Sequence, residues 1–255
     1  MEQSGQRTAV ITGATSTRGI GRATADVLAA QGWSIGVLDL DQAACDELAG
    51  ELTARHGVAA YGAAADVSDE QQARAAIDAM EAALPPILGL LNSAGVSSPL
   101  DYFDVSSDEW HRVIGINLTG AHYVTRRVAE TMVRNRRGGR IISLASVSAQ
   151  RGGGTFSKTP YSVAKAGLIG LTRSLARELG PYDITVNAIA PGPIDTDIMG
   201  GPLSPERKRE LADDLVVNRI GQTRDVAAAV AYLISDDAGY VSGQTLNVDG
   251  GLYMH

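Results

Sequence analysis

Residues 8–31 read TAVITGATSTRGIGRATADVLAAQ and join a short apolar run to a helical pattern through a glycine-rich turn. The run Thr8–Thr12 is rich in β-branched side chains, which favour a strand. From Gly19 to Gln31 the apolar residues recur at helical intervals. A strand that leads at once into a helix is the repeating unit of a parallel α/β sheet.

The same alternation continues to the C-terminus. Because its strands are almost continuously apolar, they are expected to be buried on both faces. The sequence therefore predicts an α/β fold, a single Rossmann-like domain over residues 1–255. About seven strands would form its doubly wound parallel sheet, with helices on both faces. The predicted strands are Thr8–Thr12, Ser34–Asp39, Ala59–Ala64, Ile87–Asn92, Arg140–Ser143, Ile184–Ala190 and Thr245–Val248. The predicted helices are Gly19–Gln31, Gln42–His56, Asp69–Leu84, Ser107–Arg137, Tyr161–Leu179 and Arg224–Leu233.

Composition excludes several classes of partner. The net charge of -7 argues against nucleic acid and anionic membranes, which bind clustered Lys and Arg. No window approaches the roughly 20 apolar residues of a membrane span, and the polar start, Met1–Arg7, does not resemble a secretion signal. The single cysteine, Cys45, cannot form an internal disulfide, which suits a reducing compartment. We expect a soluble, cytoplasmic protein.

No metal site is predicted. The histidines are scattered, and none stands at metal-ligand spacing from another histidine or from the cysteine. Solvated positions on the surface or beside helices account for them. They are His56, His111, His122 and His255.

One stretch, residues 195–218, interrupts the alternation. It lies between the sixth strand and the next helix, at the edge where strands end, so we expect a substrate lid there. An ordinary surface loop is the alternative. The stretch contains Gly200, Gly201, Pro202 and Pro205, and then a charged helical run, Pro205–Val217.

The turn after the first strand has the composition of a phosphate-binding loop. Gly13, Gly19 and Gly21 would let backbone amides approach a pyrophosphate, and the following helix offers its positive N-terminal end. A plain glycine turn is the alternative. Its place between the first strand and the first helix favours dinucleotide binding.

Asp39 ends the second strand, 18 residues after Gly21. A carboxylate there can accept hydrogen bonds from both hydroxyls of an adenosine ribose and would repel a 2′-phosphate, which favours NAD. Arg18 favours NADP, because a cation in the loop could pair with that phosphate. Like-charge repulsion at a half-buried site outweighs one flexible, solvated arginine. We therefore predict NAD, with NADP as the alternative; Asp39 could also simply end its strand, as Asp41 could cap a helix.

Taken together, these motifs resemble the short-chain dehydrogenase/reductase family over almost the whole chain. Two departures stand out: five residues rather than three separate Gly13 from Gly19, and Ser93 replaces a second asparagine. The longer loop means that the resemblance does not define the contacts of Arg18. The matching residues are Thr12-Gly13 with Gly19-Ile20-Gly21, Asp66-Val67, Asn92-Ser93-Ala94-Gly95, Asn117, Ser146, Tyr161-Ser162-Val163-Ala164-Lys165, Asn187-Ala188-Ile189-Ala190-Pro191-Gly192, Thr196 and Asn247-Val248-Asp249-Gly250-Gly251.

The resemblance implies a set of cofactor contacts. Asp66 would bind the adenine amino group, Val67 would add a backbone contact, and Asn92 would lie beside the adenosine ribose. Ile194 and Thr196 would bracket the nicotinamide carboxamide. The expected cofactor-binding residues are Gly13, Arg18, Gly19, Ile20, Gly21, Asp39, Asp66, Val67, Asn92, Ala94, Gly95, Tyr161, Lys165, Pro191, Gly192, Ile194 and Thr196.

The candidate chemistry centres on Tyr161 and Lys165, four residues apart and so on one face of a helix. A free phenol has a pKa of about 10, too high for a base at neutral pH. A nearby ammonium and a positive nicotinamide ring should both lower it. By resemblance, Lys165 also holds the nicotinamide ribose; a solvated helix face is the alternative reading of the pair.

Two further catalytic residues are predicted. Ser146 follows the fifth strand and could donate to the substrate oxygen as negative charge grows there; Ser143 and Ser148 are its rivals, and the family spacing favours Ser146. Asn117 stands inside a predicted helix, where asparagine is unfavourable. The resemblance implies that it holds a water that links Lys165 to solvent.

The substrate is less defined. The spacing of Tyr161 and Lys165 differs from the wider spacing of enoyl-reductase relatives, which have a tyrosine where this chain has Lys158, so carbonyl reduction is favoured. We predict an NAD-linked dehydrogenase of a secondary alcohol, polyol or hydroxy acid, with a small-molecule alcohol or carbonyl as substrate. A dinucleotide sensor without turnover is a third reading, against which the intact Tyr161 and Lys165 argue.

An NADPH-dependent 3-oxoacyl carrier-protein reductase is the alternative enzyme. Arg136 and Arg137 could attract an acidic carrier protein, or could simply complement a helix dipole. Against it, Tyr182 and Asp183 stand where such reductases tend to carry a basic residue.

The resemblance also implies a homotetramer built from the helices Ser107–Arg137 and Tyr161–Leu179 and from the last strand. The apolar face of Arg224–Leu233 could pack at an interface or against its own sheet. Whether Met254 and His255 reach a neighbouring active site is left open.

Overall fold

A seven-stranded parallel sheet forms the centre of the computed structural model, which describes residues 7–154, 157–198, 201 and 203–254. The strands are β1 (Thr8–Thr12), β2 (Ser34–Asp39), β3 (Ala60–Ala64), β4 (Ile87–Asn92), β5 (Gly139–Leu144), β6 (Ile184–Pro191) and β7 (Thr245–Val248). Across the sheet they run β3-β2-β1-β4-β5-β6-β7, so the strand order reverses between β1 and β4. A crevice at the carboxyl ends of the strands follows from this reversal.

Helices cover both faces of the sheet, which confirms the predicted fold. Adjacent β1 residues point to opposite faces: Ile11 packs in a core with Leu28, Leu48 and Val230, whereas Val10 packs in a second core. The helices are α1 (Ile20–Ala30), α2 (Gln42–His56), α3 (Glu70–Ala83), α4 (Ser107–Ile114), α5 (Gly120–Asn135), α6 (Ser148–Arg151), α7 (Thr159–Leu179), α8 (Pro205–Ala212) and α9 (Thr223–Ile234). Of these, α1, α2 and α9 supply the first core, and α3, α5 and α7 the second.

The apolar face of α9 packs within the chain itself. Val226, Ala227, Val230 and Leu233 are all buried in the absence of any partner, and they lie against the sheet and α1. The sequence left open whether this face packs at a subunit interface or against the chain's own sheet. In the structure it packs against the sheet.

The long helix predicted over Ser107–Arg137 is divided in the structure. A π-helical turn, Gly115–Thr119, separates α4 from α5. At its centre the Asn117 amide donates to the carbonyl of Val113, four residues earlier, at 2.9 Å. A side-chain amide that donates to a backbone carbonyl in this way competes with the backbone hydrogen bonds of a regular α-helix.

The predicted lid contains one short helix, α8, which ends at Ala212 rather than Val217. Beyond it Leu215 is buried, and the Val217 amide donates to the carbonyl of Gly250 at 2.9 Å. Gly200 and Pro202 lie outside the described residues, as does His255. None of the helices in the described part of the chain has both the length and the apolar character to cross a bilayer.

Candidate active site

A cavity of about 540 Å³ opens at the carboxyl ends of the strands. Most of the predicted site residues line it: Gly13, Gly19, Ile20, Asp39, Asp66, Val67, Ala94, Gly95, Ser146, Tyr161, Lys165, Pro191, Gly192, Ile194 and Thr196. Four predicted residues do not: Arg18, Gly21, Asn92 and Asn117. Within the described residues, no three His, Cys, Asp or Glu side chains are grouped so that they could hold a metal ion.

Glycine is required in the loop because the backbone packs closely there. Gly13 has a φ of 64°, and a Cβ there would lie 2.7 Å from the Cα of Ala94. Gly19 caps α1 without a side chain, so no side chain caps the first-turn amides of that helix beside the cavity. Free amides at a helix N-terminus fit a pyrophosphate. Gly21 has a packing role like that of Gly13, because a Cβ there would lie 2.5 Å from the Gly13 carbonyl oxygen.

Asp39 lies at the end of β2 and anchors the longer glycine loop. Its Oδ2 accepts from the backbone amide of Thr15 at 2.9 Å and from the Thr15 hydroxyl at 2.7 Å. Its Oδ1 accepts from the amide of Leu40 at 2.9 Å. A carboxylate oxygen has two acceptor sites, so Oδ1 can still accept from a ribose hydroxyl. The neighbouring Asp41 caps α2.

Asp66, at the end of the adjacent strand β3, also lines the cavity. Its Oδ1 accepts from the amide of Ser68 at 2.9 Å and from the Ser68 hydroxyl at 2.7 Å. These bonds fix the carboxylate beside Val67, the next cavity residue. Asp39 and Asp66 therefore give one end of the cavity its negative charge.

Arg18, which was expected to contact the cofactor, points toward the lid instead. Its guanidinium pairs with Asp195 at 2.5 Å and with Asp197 at 3.1 Å. The glycine loop, which is two residues longer than is usual in the family, is therefore joined through Arg18 to the segment after β6. A guanidinium held between two carboxylates is poorly placed to neutralise a 2′-phosphate.

Asn92 is buried away from the cavity. Its Nδ2 donates to the hydroxyls of Thr125 at 2.8 Å and of Ser143 at 3.2 Å. These bonds tie β4 to α5 and β5. They leave the expected ribose contact without support in the structure, and they give Ser143, the rival of Ser146, a structural role.

Tyr161 and Ser146 meet inside the cavity. Only 7% of Tyr161 is exposed, and the Ser146 hydroxyl is near enough to the phenol to favour its ionised form. The Ser146 hydroxyl in turn accepts from the backbone amide of Ser148 at 3.1 Å. Ser148 thus acts through its backbone in positioning Ser146.

Lys165 lies beneath the tyrosine. Its Nζ donates to the carbonyl of Leu144 at 2.7 Å and stands 5.5 Å from the centre of the Tyr161 ring. Burial lowers the pKa of Lys165 to about 8. Burial also raises the pKa of Tyr161 to about 12, against the opposing effect of the Ser146 hydroxyl. In the protein alone, burial therefore outweighs the effects that lower the phenol pKa.

Asn117 sits beside Lys165 but outside the cavity wall. Its Nδ2 donates to the carbonyls of Val96 at 3.0 Å and Val113 at 2.9 Å. Its buried Oδ1 has no hydrogen-bond partner among the described residues. A Cβ at Gly95 would lie 2.6 Å from this Oδ1 and 3.5 Å from Lys165 Nζ, so both atoms flank the same point. A water there would satisfy Oδ1 and reach the ammonium.

The sequence interpretation missed several lining residues, mostly from the lid and the C-terminus. The predicted lid identified the region that contributes most of these residues. Which of its side chains face the cavity depends on the orientation of the lid helix, which the sequence alone does not define. The missed lining residues include Val96, Ser157, Ile198, Arg207, Leu211 and Leu252.

Comparisons with known proteins agree with this architecture. A family model described as "Enoyl-(Acyl carrier protein) reductase" matches residues 13–253. An uncharacterized short-chain type dehydrogenase/reductase of Sinorhizobium fredii is 40% identical over 98% of both chains. The 3-oxoacyl-[acyl-carrier-protein] reductase of Aquifex aeolicus is 35% identical over 97% of both chains.

Solved structures are also similar to this chain over nearly its whole length. A 3-oxoacyl-[acyl-carrier protein] reductase with bound NAD from Brucella melitensis is 36% identical, with a TM-score of 0.89 over 98% of this chain and 92% of that one. A blue fluorescent protein from a metagenomic library, in complex with NADPH, is 34% identical, with a TM-score of 0.89 over 99% and 100%. The chain therefore belongs to the short-chain dehydrogenase/reductase family and is an NAD(P)-dependent oxidoreductase of alcohol and carbonyl groups.

Proposed function

We propose that this chain is an NAD(H)-dependent oxidoreductase that interconverts a small secondary alcohol and its ketone. The observation that carries the proposal is that the buried Tyr161 lines the cavity together with Ser146, with its ring centre 5.5 Å from Lys165 Nζ. The same cavity ends at the Asp39 carboxylate, which suits an adenosine ribose.

The chain's residues divide the work of holding the cofactor. The amides of Gly13 and Gly19 and the N-terminus of α1 would hold the pyrophosphate, and Asp39 the adenosine ribose. Lys165 would bind the nicotinamide ribose hydroxyls. When bound, the nicotinamide supplies hydride transfer and, in its oxidised form, a positive charge near the phenol.

Tyr161 exchanges the proton. During reduction its phenol donates to the carbonyl oxygen, and during oxidation its phenolate takes the proton of the alcohol. Such general acid–base catalysis contributes about 10²- to 10⁴-fold in rate. Ser146 stabilises the same oxygen by a hydrogen bond that strengthens as negative charge grows. A water held by Asn117 Oδ1 would connect Lys165 with solvent, so that Tyr161 regains a proton from solvent after reduction and releases one to solvent after oxidation.

We propose NAD rather than NADP because of the charges of Asp39 and Arg18. Asp39 lines the cavity and would repel a 2′-phosphate bound beside it, and Arg18, the loop cation, is paired with Asp195 and Asp197. Like charges at a partly buried site repel strongly. Among similar solved structures one binds NAD and another NADPH. Family membership therefore does not decide between NAD and NADP, and the proposal rests on Asp39 and Arg18.

A 3-oxoacyl carrier-protein reductase is the second candidate, favoured by relatives that are 35% identical over nearly the whole chain. Arg136 and Arg137, the basic residues considered for carrier docking, are separated from the start of β5 by one residue, Gly138. Ser146 follows the other end of that strand, roughly 20 Å away at 3.3 Å per residue. These arginines therefore lie at the sheet edge opposite the cavity, which weakens their support for this candidate.

Steady-state kinetics distinguish the two candidates. We expect simple ketones to be reduced with NADH at a higher kcat/KM than with NADPH. Acetoacetyl thioester should be a poor substrate with either cofactor. Efficient NADPH-driven reduction of the thioester would contradict the proposal and support the reductase. Because the Tyr–Lys spacing is four residues, we expect no reduction of an enoyl thioester.

The broader organisation is also a proposal: one domain over residues 1–255, a lid at residues 195–218 and a cytoplasmic homotetramer. The buried thiol of Cys45, whose pKa burial raises to about 11, suits a compartment without disulfides. Light scattering should give four times the 26.6 kDa of one chain. A monomer mass at micromolar concentration would contradict the assembly.

A further inference from the structure

Three charged side chains join the glycine loop to the helix α8. Arg18 pairs with Asp195 Oδ1 at 2.5 Å, and Lys208 of α8 pairs with Asp195 Oδ2, also at 2.5 Å. Hydrogen bonding to Lys208 and the charge of Arg18 keep the pKa of Asp195 below its usual value, so this carboxylate is charged at neutral pH. We call Arg18, Asp195 and Lys208 the strap.

The strap extends across the crevice. The glycine loop follows β1 and Asp195 follows β6, and in the sheet order β1-β4-β5-β6 these two strands are three positions apart. Neighbouring strands are about 4.8 Å apart, so β1 and β6 are separated by roughly 14 Å. A link between their carboxyl ends therefore passes over the ends of β4 and β5.

The strap lies outside the wall of the cavity that it crosses. The glycine loop contributes Ser16 and Gly19 to this wall, and the segment after β6 contributes Thr196 and Ile198. None of the three strap residues lines the cavity. A group bound in the cavity would therefore lie between the strap and the sheet, without contact with the charges of the strap.

Each side of the strap is also anchored by bonds that do not involve its side chains. Asp39 holds the glycine loop by accepting from the amide of Thr15 at 2.9 Å. On the other side, the Asp195 amide donates to the carbonyl of Gly221, and the Gly221 amide donates to the carbonyl of Pro193, both at 3.0 Å. Replacement of the Arg18 or Lys208 side chain leaves these anchors in place, so it should loosen the strap without unfolding either segment.

We propose that the strap opens each time a dinucleotide enters or leaves the cavity, so that Arg18, Asp195 and Lys208 set the rate of cofactor exchange. The inference rests on the proposed place of the dinucleotide in this cavity and is independent of the substrate. A dinucleotide that reaches from Asp39, at the end of β2, to Ser146, beyond β5, would pass the ends of β1 and β4. The strap crosses this path.

The three side chains would act as positioning residues rather than as ligands of the cofactor. A ligand shifts a conformational equilibrium only through different affinities for its two states. Because the strap does not contact the cavity, the open and closed states should bind the dinucleotide equally well. Loss of the strap should therefore speed entry and exit by the same factor and leave the affinity unchanged.

Stopped-flow fluorescence of NADH measures this exchange. Association and dissociation rate constants are determined for the full chain as wild type, Arg18→Gln and Lys208→Gln. We expect both constants to rise about three- to tenfold in each variant, because the strap side chains are 24 to 38% exposed and such pairs are individually weak. The Kd for NADH should change less than about twofold.

Arg209→Gln is the matched control. Arg209 is the neighbour of Lys208 on α8, so its loss removes the same charge from the same helix. Its partner is Glu206 at 3.2 Å, and the two side chains are 73% and 69% exposed. We expect both rate constants of this variant to equal those of the wild type.

Three results would overturn the inference: unchanged rate constants in both strap variants, an equal rise in Arg209→Gln, or faster dissociation with slower association. The last result would mean that the strap residues shape the binding site itself. The substrate does not enter this measurement, so a failure to reduce ketones would contradict only the proposed function. Unchanged exchange rates would contradict only the strap, whereas a wild type that binds no NADH would contradict both.

Discussion

Burial acts on Tyr161 and Lys165 in opposite directions. It raises the pKa of the phenol to about 12 and lowers that of the ammonium to about 8, because a poorly solvated site disfavours both charged forms. A phenol in this state holds its proton firmly and suits the acid role in reduction. For the base role in oxidation, positive charge close to the ring must favour the phenolate.

This electrostatic balance predicts a shift of the phenol pKa on cofactor binding. In the protein alone, Tyr161 should titrate near pH 12. Added positive charge favours the phenolate and so lowers the pKa. In alcohol oxidation with saturating NAD, kcat should therefore rise with pH to a plateau whose apparent pKa lies well below 12. A profile that continues to rise to pH 12 would contradict the account.

Asp39 provides a residue-scale test of cofactor choice. Asp39→Asn removes the charge but keeps an acceptor for Thr15, so the loop anchor remains. Relief of the repulsion should raise kcat/KM for NADPH relative to NADH about tenfold or more, since one pKa unit of interaction corresponds to about 1.4 kcal/mol.

Asp41→Asn is the matched control. Asparagine is as good a helix cap as aspartate, and Asp41 caps α2 without lining the cavity. We expect its cofactor preference to equal that of the wild type. A change of the same size in both variants would show that Asp39 does not act locally.

At the scale of elements, the apolar runs alone predicted six of the helical regions and all seven strands, several with the observed bounds. Strands such as β1, β2 and β4 were clear because each is almost entirely apolar between turn residues. The π-helical turn at Asn117 was not predictable, because one of its bonds reaches Val96, on another segment. The ion pairs of Arg18 were not predictable for the same reason: its partners lie about 180 residues along the chain.

The packing of α3 against α5 depends on a buried guanidinium. Arg127 is 7% exposed, and its Nη2 lies 2.6 Å from Glu81 while its Nε donates to Asp78 at 2.6 Å. Arg127→Met should lower the free energy of unfolding by about 1–3 kcal/mol, because it removes charged hydrogen bonds. Denaturant titration measures this loss.

Arg126→Met is the control for that measurement. Arg126 lies next to Arg127 on α5, but 57% of its side chain is exposed and its bond to Glu70 is 3.4 Å long. An exposed pair contributes about 0–1 kcal/mol. Equal losses in the two variants would contradict a special role for the buried arginine.

At the scale of the whole molecule, the cavity is assembled from segments that are distant in sequence. The strand order brings the ends of β1, β4, β5 and β6 together, so that the glycine loop, Ser146, Tyr161 and the lid face one crevice. Motif spacing predicted many of the residues that line this cavity. It could not predict that Asn92 would bond Thr125 and Ser143, because side-chain direction is decided by packing.

The central claim, that Tyr161 exchanges a proton with the substrate, is tested most directly by Tyr161→Phe. The phenyl ring keeps the packing of a side chain that is 7% exposed, and Lys165 keeps its bond to the Leu144 carbonyl. We expect kcat for ketone reduction to fall about 10²- to 10⁴-fold, while the Kd for NADH, measured by fluorescence, changes less than about threefold. Turnover at the wild-type rate, with NADH bound as before, would contradict the account.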